Sequence, residues 1–296
     1  MTPRTLTLVG RPVARVGFGA MQLTHGGRVE PATAVAVLRR AVRAGATHID
    51  TAQFYGAGAC NALIREALAP YPDTLFLATK VGADNAADGS LVPAQLPGQL
   101  RAQVEANLAA LGVDRLDIVY LRRVDAAPGI VAEGEQLVDI DAQLAELSAL
   151  RDEGKIGGIG LSAVTADQVN KAAPIGIASV QNMYGVLDRT HEPVLEACRE
   201  HGIAWVPFFP LGSAFPGRPK ASQDPEVAAV ALTVGATPAQ VALAWLLQHY
   251  ERTLLIPGTA NAAHLDENLG AADVTLDAAA MAKLDALAAQ GAPAAG

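Results

Sequence analysis

Cysteine, aromatic residues and basic runs are scarce in this 296-residue sequence, and each shortage argues against a class of protein. The two cysteines, Cys60 and Cys198, are too few for a disulfide framework and are not spaced as metal ligands, so we predict a cytoplasmic protein without a metal site. The formal net charge of −8 argues against a nucleic-acid partner. A small molecule is the expected ligand.

Long apolar segments are also missing. The apolar run 241–247 is far shorter than the roughly 20 residues that a bilayer-spanning helix requires. Residues 1–21 contain no continuous apolar stretch of the kind found in signal peptides. We therefore expect no membrane partner.

Several well-known catalytic and nucleotide-binding motifs do not occur. The segment Gly17-Phe18-Gly19-Ala20-Met21-Gln22 lacks the last glycine of the Gly-x-Gly-x-x-Gly fingerprint that an open dinucleotide-binding sheet requires. No Walker A, His-Glu-x-x-His or Gly-x-Ser-x-Gly sequence is present. The mechanisms that depend on those motifs are disfavoured.

What the sequence does contain is a regular alternation of strand and helix patterns built from aliphatic residues. The predicted strands cover residues 16–20, 47–51, 75–80, 116–121, 156–161, 178–182, 203–208 and 253–256. The predicted helices cover residues 31–44, 60–69, 96–111, 139–153, 166–173, 191–201 and 237–250. Eight strands alternating with helices favour an α/β fold of the closed (β/α)8 TIM barrel type over an open doubly wound sheet.

The ends of the chain and the helix boundaries add detail to this prediction. Segments 5–8 and 13–15 predict a β-hairpin that caps the bottom of the barrel. We also expect an extra C-terminal helix, a flexible tail at 290–296, and a single domain over residues 1–296. Thr165 and Thr237 are predicted to begin helices, while Gly45 and Gly202 stand where helices should end.

Three unusual side chains follow the second and third predicted strands, at the end of the barrel where catalytic groups collect. Asp50 and Lys80 close the two strands, and Tyr55 lies in the loop after Asp50. Neighbouring strands are about 4.8 Å apart, so Asp50 and Lys80 could pair. An ammonium near a phenol lowers its pKa, which would make Tyr55 a proton donor or acceptor near neutral pH.

Two other interpretations of these residues stay open at this point. The lysine and aspartate could form a purely structural salt bridge, with the tyrosine serving only in packing. Alternatively, Lys80 could form an imine with a carbonyl substrate, which would make the protein a non-redox lyase or isomerase.

Other predicted strand ends carry polar side chains or glycine. Ser162 follows the fifth strand, Gln181 and Asn182 end the sixth, and Gly258-Thr259 follow the eighth. Loops after strands seven and eight commonly bind phosphate in this architecture, because backbone N–H groups and a helix N-terminus point there.

These motifs, taken in order, resemble the aldo-keto reductases. The resemblance extends from Gly17-Phe18-Gly19-Ala20-Met21 through Asp50-Thr51-Ala52-x-x-Tyr55, Thr79-Lys80, Gly160-Leu161-Ser162, Val180-Gln181-Asn182-x-Tyr184 and Ile256-Pro257-Gly258-Thr259 to His264-Leu265-x-Glu267-Asn268. It implies hydride transfer from NADP(H), or alternatively NAD(H), to an aldehyde or ketone, with Tyr55 as general acid and Asp50 and Lys80 tuning it.

The resemblance also implies a set of cofactor contacts along the mouth of the barrel. Ser162 and Gln181 would hold the carboxamide, and Tyr184 would stack on the nicotinamide ring. The implied cofactor-binding residues are Met21, Asp50, Ser162, Gln181, Tyr184, Pro210, Leu211, Gly212, Ile256, Gly258, Thr259, His264, Glu267 and Asn268.

The chain departs from the family pattern at several positions. Arg122 replaces the histidine that commonly follows the fourth strand, and we expect it as a fourth catalytic residue that polarises the substrate oxygen or binds an anionic substituent. Ala163 replaces a common asparagine. Gly258 and His264 replace basic residues that some members place around a 2′-phosphate.

With an arginine at position 122, and in the segments 206–212 and 242–248, the sequence resembles the bacterial subgroup that includes pyridoxal reductases. The expected activity is reduction of pyridoxal or a similar anionic carbonyl by a monomer or small homo-oligomer. A cofactor-binding module with little turnover is the alternative from a different functional class.

Overall fold

Eight parallel strand segments form a closed barrel in the computed structural model, which describes residues 4–25, 29–125, 129–212 and 219–291. Seven of them form one sheet in the order β11-β10-β9-β8-β5-β4-β3. These strands are β3 (Phe18–Gly19), β4 (His48–Asp50), β5 (Phe76–Val81), β8 (Leu116–Arg122), β9 (Ile156–Ser162), β10 (Ile177–Gln181) and β11 (Ala204–Trp205).

The eighth segment, residues 253–256, joins the two edges of that sheet. Leu255 bridges Val16 on one side and Thr253 bridges Trp205 on the other, both in parallel orientation. The Gly17 N–H donates to the Leu255 carbonyl at 2.8 Å, and the Leu254 N–H donates to the Trp205 carbonyl at 2.8 Å. The predicted (β/α)8 barrel is confirmed, although its eighth strand forms single bridges instead of a continuous ladder.

Helices surround the barrel and connect the strands. Those of the described residues are α1 (Pro31–Arg43), α2 (Ala59–Leu68), α3 (Pro97–Leu111), α4 (Ile140–Asp152), α5 (Ala166–Ala172), α6 (Glu192–His201), α7 (Pro225–Val234), α8 (Pro238–His249), α9 (Ala262–Gly270) and α10 (Ala278–Gly291). The predicted boundary signals operate as expected: Thr165 and Thr237 both form capping boxes, and Gly202 ends α6 with a φ of 63°.

Two antiparallel hairpins lie outside the barrel sheet. The predicted bottom cap is β1 (Thr5–Leu8) with β2 (Arg11–Ala14), and Leu8 and Val13 pack into the cluster of side chains that fills the barrel interior. The second, β6 (Ala83–Asn85) with β7 (Leu91–Pro93), follows β5 and was not predicted, because its strands are short and lack a clear alternation.

The C-terminal extra helix is α10, which continues to Gly291, so residues 290–291 of the expected flexible tail are helical and residues 292–296 lie outside the described residues. Within the described part of the chain, no one helix combines the length and the apolar character needed to cross a membrane. Among the same described residues, α7 and α8 reach that length and apolar character only as a pair, and they are bent by 86° relative to each other.

Candidate active site

The strand register decides which side chains reach the mouth of the barrel. Along β5, Phe76 and Ala78 belong to the interior cluster, so two-residue alternation directs Lys80 inward at the next level. Along β8, Ile118 and Tyr120 are interior, and Arg122 follows on the same face. The residue types found at the strand ends are therefore brought together because the barrel is parallel and every strand ends at the same mouth.

Asp50 and Lys80 form a buried ion pair at this mouth. Their exposures are 3% and 6%, and Lys80 Nζ donates both to the Asp50 carboxylate and, at 3.1 Å, to the Thr51 carbonyl. The other Asp50 oxygen accepts a 2.7 Å hydrogen bond from the Gln181 side-chain amide. Burial alone would lower the pKa of Lys80, but the Asp50 carboxylate and Tyr55 together outweigh it and raise that pKa above its usual value. The lysine is thus an ammonium at neutral pH.

Tyr55 lies in the turn between β4 and α2, next to this pair. Lys80 Nζ is 5.1 Å from the centre of the Tyr55 ring, and Phe54 packs edge-on against that ring at 5.2 Å. Burial raises the pKa of the Tyr55 phenol. The positive charges of Lys80 and Arg122 lower that pKa but do not cancel the effect of burial. The expected net lowering is therefore wrong: the pKa of the phenol lies above its usual value, so the phenol is protonated at neutral pH.

Arg122 faces the mouth and forms no salt bridge within the described ranges of the chain. Its guanidinium carbon lies 5.7 Å from the centre of the Phe54 ring. Burial lowers the pKa of Arg122, and the nearby Tyr55 partly offsets this. The adjacent Arg123 takes the structural role, because it bonds both oxygens of Asp125 and the Gln143 side chain. A partly desolvated cation without a carboxylate partner can accept an anionic group of a ligand.

Gln181 and Ser162 lie in register with Arg122 on three neighbouring strands. Gln181 is fully buried, and its Oε1 has no hydrogen-bond partner among the described residues. A buried acceptor without a donor costs free energy unless a ligand supplies one, so this oxygen fits the amide of a nicotinamide. Asn182, in contrast, is structural: its side chain bonds both the N–H and the carbonyl of Val164.

Tyr184 does not have the surface that its predicted stacking role requires. The residue is 0% exposed, and its ring packs against Trp205 and Trp245 at 5.7 and 6.1 Å. Its hydroxyl donates to Glu192 at 2.5 Å and contacts His249 at 3.1 Å. Because the side chain points away from the barrel axis, toward α6 and α8, the expectation that it stacks on a cofactor is corrected.

Phe208 is an aromatic side chain at the mouth of the barrel that was not predicted from the sequence. Ala204 and Val206 belong to the interior cluster, and the same alternation places Phe208 at the mouth, where it is half-buried. The period-two pattern of residues 204–208 was the signal that could have identified it. Its backbone is held by hydrogen bonds to Asn182 and Tyr184.

The loop after β11 and the segment after residue 256 complete the mouth. Gly212 has a φ of 100°, and a Cβ there would lie 2.3 Å from the Pro219 carbonyl, so the chain requires glycine at this turn. Pro210 and Gly212 line a small cavity with Met183 and Gly185. Leu211, just before Gly212, is half-buried.

The first barrel strand, β3, and the segment after residue 256 lie in contact where the sequence predicts the 2′-phosphate of the cofactor. A Cβ on Gly258 would lie 2.4 Å from the Gly19 carbonyl, and Met21 follows in the turn after that strand. The remaining predicted contacts differ in exposure: Ile256 and Asn268 are buried, Thr259 and Glu267 are half-buried, and His264 is exposed. In the described residues, no group of histidine, cysteine, aspartate and glutamate side chains is arranged to hold a metal ion.

Fold and site together define a class of protein: a parallel (β/α)8 barrel whose mouth holds a phenol beside a buried lysine–aspartate pair. Residues 15–289 match the model of the aldo/keto reductase family. The chain is 43% identical over 292 residues to pyridoxine 4-dehydrogenase of Escherichia coli (strain K12), covering 97% of this chain and 99% of that protein.

A plant protein and a solved bacterial structure are also similar. The chain is 32% identical over 304 residues to probable aldo-keto reductase 1 of Glycine max, covering 93% of this chain and 85% of the relative. An aldo-keto reductase from Klebsiella pneumoniae, crystallised with NADPH, has the same fold with a TM-score of 0.81 at 24% identity, over 100% of this chain and 98% of that one. The protein belongs to the aldo/keto reductase family and is an oxidoreductase that uses a nicotinamide cofactor.

Proposed function

We propose that this protein reduces an anionic aldehyde or ketone of the pyridoxal type to the alcohol, with NADPH as cofactor and Tyr55 as general acid. The observation that carries the proposal is the protonated Tyr55 phenol held beside the Asp50–Lys80 ion pair at the mouth of the barrel. The same arrangement would run in reverse as an alcohol dehydrogenase.

The cofactor contacts that we propose follow from the geometry at the mouth. When bound, NADPH supplies the hydride. Gln181 Oε1 and Ser162 would hold its carboxamide, and Phe208 would provide the aromatic contact. In the part of the chain that the structure describes, only His264 offers a basic side chain at the expected 2′-phosphate position, since Arg40 nearby is paired with Asp266. NADH is therefore the alternative cofactor.

The proton step depends on three side chains of this chain. Tyr55 donates its phenolic proton to the substrate oxygen as negative charge develops there. Lys80 stabilises the resulting phenolate, because its ammonium is 5.1 Å from the ring and is kept charged by Asp50. The same charged state makes Lys80 a poor imine-forming nucleophile, which supports reduction over lyase or isomerase chemistry.

Arg122 supports the anionic substrate. Its guanidinium is unpaired in the described residues and lies over Phe54, which belongs to a small apolar cluster with Ala52 and Ala83. A flat carbonyl compound with a phenolate oxygen could pack on the apolar side and pair with the arginine. The similarity to a pyridoxine 4-dehydrogenase points to the same substrate class. We further propose a single cytoplasmic domain that functions as a monomer or small homo-oligomer.

The first test measures binding and turnover separately. Purified protein is titrated with NADPH and NADH by protein fluorescence, and the NADPH complex is then mixed with pyridoxal and with neutral aldehydes. Oxidation of NADPH by pyridoxal is the expected result. Tight binding without oxidation by any carbonyl would favour the binding module, and borohydride trapping of Lys80 with substrate would favour the imine chemistry.

A matched variant tests the role of the phenol. Tyr55→Phe should lower kcat by roughly 10²- to 10⁴-fold, the usual contribution of general acid catalysis. The dissociation constant for NADPH should change by less than about threefold, because the ring and its packing remain. Equal losses of both quantities would contradict the assignment.

A second variant tests the anion pocket. Arg122→Leu should lower kcat/KM for pyridoxal by about 10- to 100-fold, as expected for a charge-assisted hydrogen bond. Neutral aldehydes should lose much less, and Arg122→Lys should recover part of the difference. A uniform loss across all substrates would mean that Arg122 does not select the anion.

A further inference from the structure

Four buried polar side chains form a closed hydrogen-bonded ring behind the catalytic strand ends. They are Thr51, Thr79, Asn61 and Asn107, and each is 0% exposed. Thr51 donates to Asn61 Oδ1 at 2.8 Å, and Thr79 donates to Asn107 Oδ1 at 2.6 Å. Asn61 donates to Asn107 Oδ1 at 3.0 Å, and the Thr51 N–H donates to the Ala78 carbonyl at 2.9 Å, which closes the ring through β5.

The two threonines of the ring adjoin the Asp50–Lys80 pair. Thr51 is the neighbour of Asp50 in the chain, and its carbonyl accepts from Lys80 Nζ at 3.1 Å. Thr79 is the neighbour of Lys80. Alternation along a strand puts the two threonines on the outer face of the same strands that carry Asp50 and Lys80 inward. The ring therefore sets the position of β4 relative to β5 at the level of the ion pair.

The ring also reaches the loop that carries the general acid. Asn61, on α2, donates its second amide hydrogen to Gln53 Oε1 at 2.6 Å, and Gln53 is in the turn that leads to Tyr55. Asn107, on α3, donates to the Gln103 carbonyl at 2.8 Å. Both amide hydrogens of Asn61 and one of Asn107 thus have acceptors, and no side-chain nitrogen or oxygen of the four residues lacks a partner among the described residues.

Burial energy does not explain this polarity, because apolar side chains of similar shape could fill the same space at little or no cost in stability. What a buried network adds, when each of its nitrogens and oxygens has a partner, is a single geometry. We propose that Asn61 and Asn107, through Thr51 and Thr79, are positioning residues that hold Lys80 and Asp50 at the distance from Tyr55 that proton transfer requires. This inference rests on the proposed function.

The test removes the two hydroxyls and keeps the shape of the side chains. The double variant Thr51→Val/Thr79→Val should lower kcat by about 10- to 100-fold, since small displacements at a reacting centre have effects of this size. KM for NADPH should change little. Thr51→Ser and Thr79→Ser keep the hydroxyls, so on the same reasoning kcat of these variants should stay within about threefold of that of the original protein.

A pH profile separates positioning from a general loss of stability. The ammonium of Lys80 lowers the pKa of Tyr55 against the effect of burial. If Lys80 moves away from the phenol, that pKa rises, and the alkaline limb of kcat should shift upward by about half a unit. Thr253→Val is the matched control, because Thr253 is fully buried at the other end of the barrel and its hydroxyl has no partner in the part of the chain described.

Hydrogen exchange supplies a measurement that needs no turnover. The peptide 48–58 should exchange faster in the double valine variant and not in Thr253→Val. The inference would be overturned if kcat, the pH profile and the exchange of residues 48–58 were all unchanged in the folded double variant. An equal loss of kcat in Thr253→Val would also overturn it. If the unchanged protein reduces no carbonyl compound, the proposed function fails, and the exchange of 48–58 alone then decides whether the ring positions the Tyr55 loop.

Discussion

Removing the charge of Lys80 should destabilise the protein and abolish its chemistry, and the two effects can be separated. Lys80→Met keeps a long unbranched side chain but leaves Asp50, which is 3% exposed, without its counter-ion. Of the contacts described above, the carboxylate then keeps only the 2.7 Å hydrogen bond from Gln181. An uncompensated charge in a buried site is costly because solvent cannot stabilise it.

The size of the effect follows from the burial of both partners. Breaking a buried ion pair on one side costs about 3–5 kcal/mol in the free energy of unfolding. For a chain of this size each kcal/mol lowers Tm by about 2–4 °C, so a fall of roughly 6–20 °C is expected. Removing both charges in Asp50→Asn/Lys80→Met should cost much less, because neutral groups of similar shape tolerate burial.

The assay is a double-mutant cycle followed by urea unfolding and by steady-state kinetics. Stability should be largely recovered in the double variant relative to Lys80→Met, whereas kcat should stay at the level of the single variant, since the ammonium that stabilises the Tyr55 phenolate is absent from both. Additive losses of stability would refute the view that the pair is coupled. Recovery of kcat in the double variant would refute the role given to Lys80.

The pH dependence of this pair has a definite sign. The pKa of Lys80 in the folded protein is raised above its value in the unfolded chain, so the folded state holds the proton more tightly. The stabilisation is fully present at neutral pH and is lost only as pH rises above about 10.4, the ordinary pKa of lysine. Unfolding measured between pH 7 and 9 should therefore show no change that depends on Lys80.

Two further predictions concern a buried histidine and the reassigned aromatic residue. Burial lowers the pKa of His48 to about 4, and neither ring nitrogen has a hydrogen-bond partner within the described residues. The free energy of unfolding should therefore fall by about 3 kcal/mol as pH drops from 6.5 to 4. His48→Gln should flatten that pH dependence in urea unfolding, and an unchanged dependence would assign it to other groups. Phe208→Ala should weaken NADPH binding by about 5- to 30-fold in fluorescence titrations, because an aromatic contact is lost. Tyr184→Phe should instead lower Tm with little change in the affinity for NADPH. The opposite pattern would restore the stacking role to Tyr184.

The order of elements and the chemistry of the strand ends could be predicted from local patterns. Alternating strand and helix signals, with capping residues such as Thr165 and Thr237, were enough to predict the barrel. Asp50 and Lys80 could be paired in advance, because parallel strands that are neighbours in sequence end side by side. The hairpin β6–β7 was missed because strands of three residues carry too little pattern.

Solvent exposure and the partner of each polar side chain were decided only by the tertiary structure. Alternation along β8 separates the inward Arg122 from Arg123, but only the folded chain shows that Arg123 pairs with Asp125 while Arg122 forms no salt bridge in the described residues. Whether the pKa of Tyr55 is raised or lowered depends on the balance between burial and nearby charges, which only the folded chain sets. Tyr184 is buried against Trp205 and Trp245, whereas Phe208 lies half-buried at the mouth, and only the packing of distant segments decides which of the two rings a ligand can reach. Local periodicity specifies where a strand lies, whereas contacts between distant segments determine what each of its side chains can do.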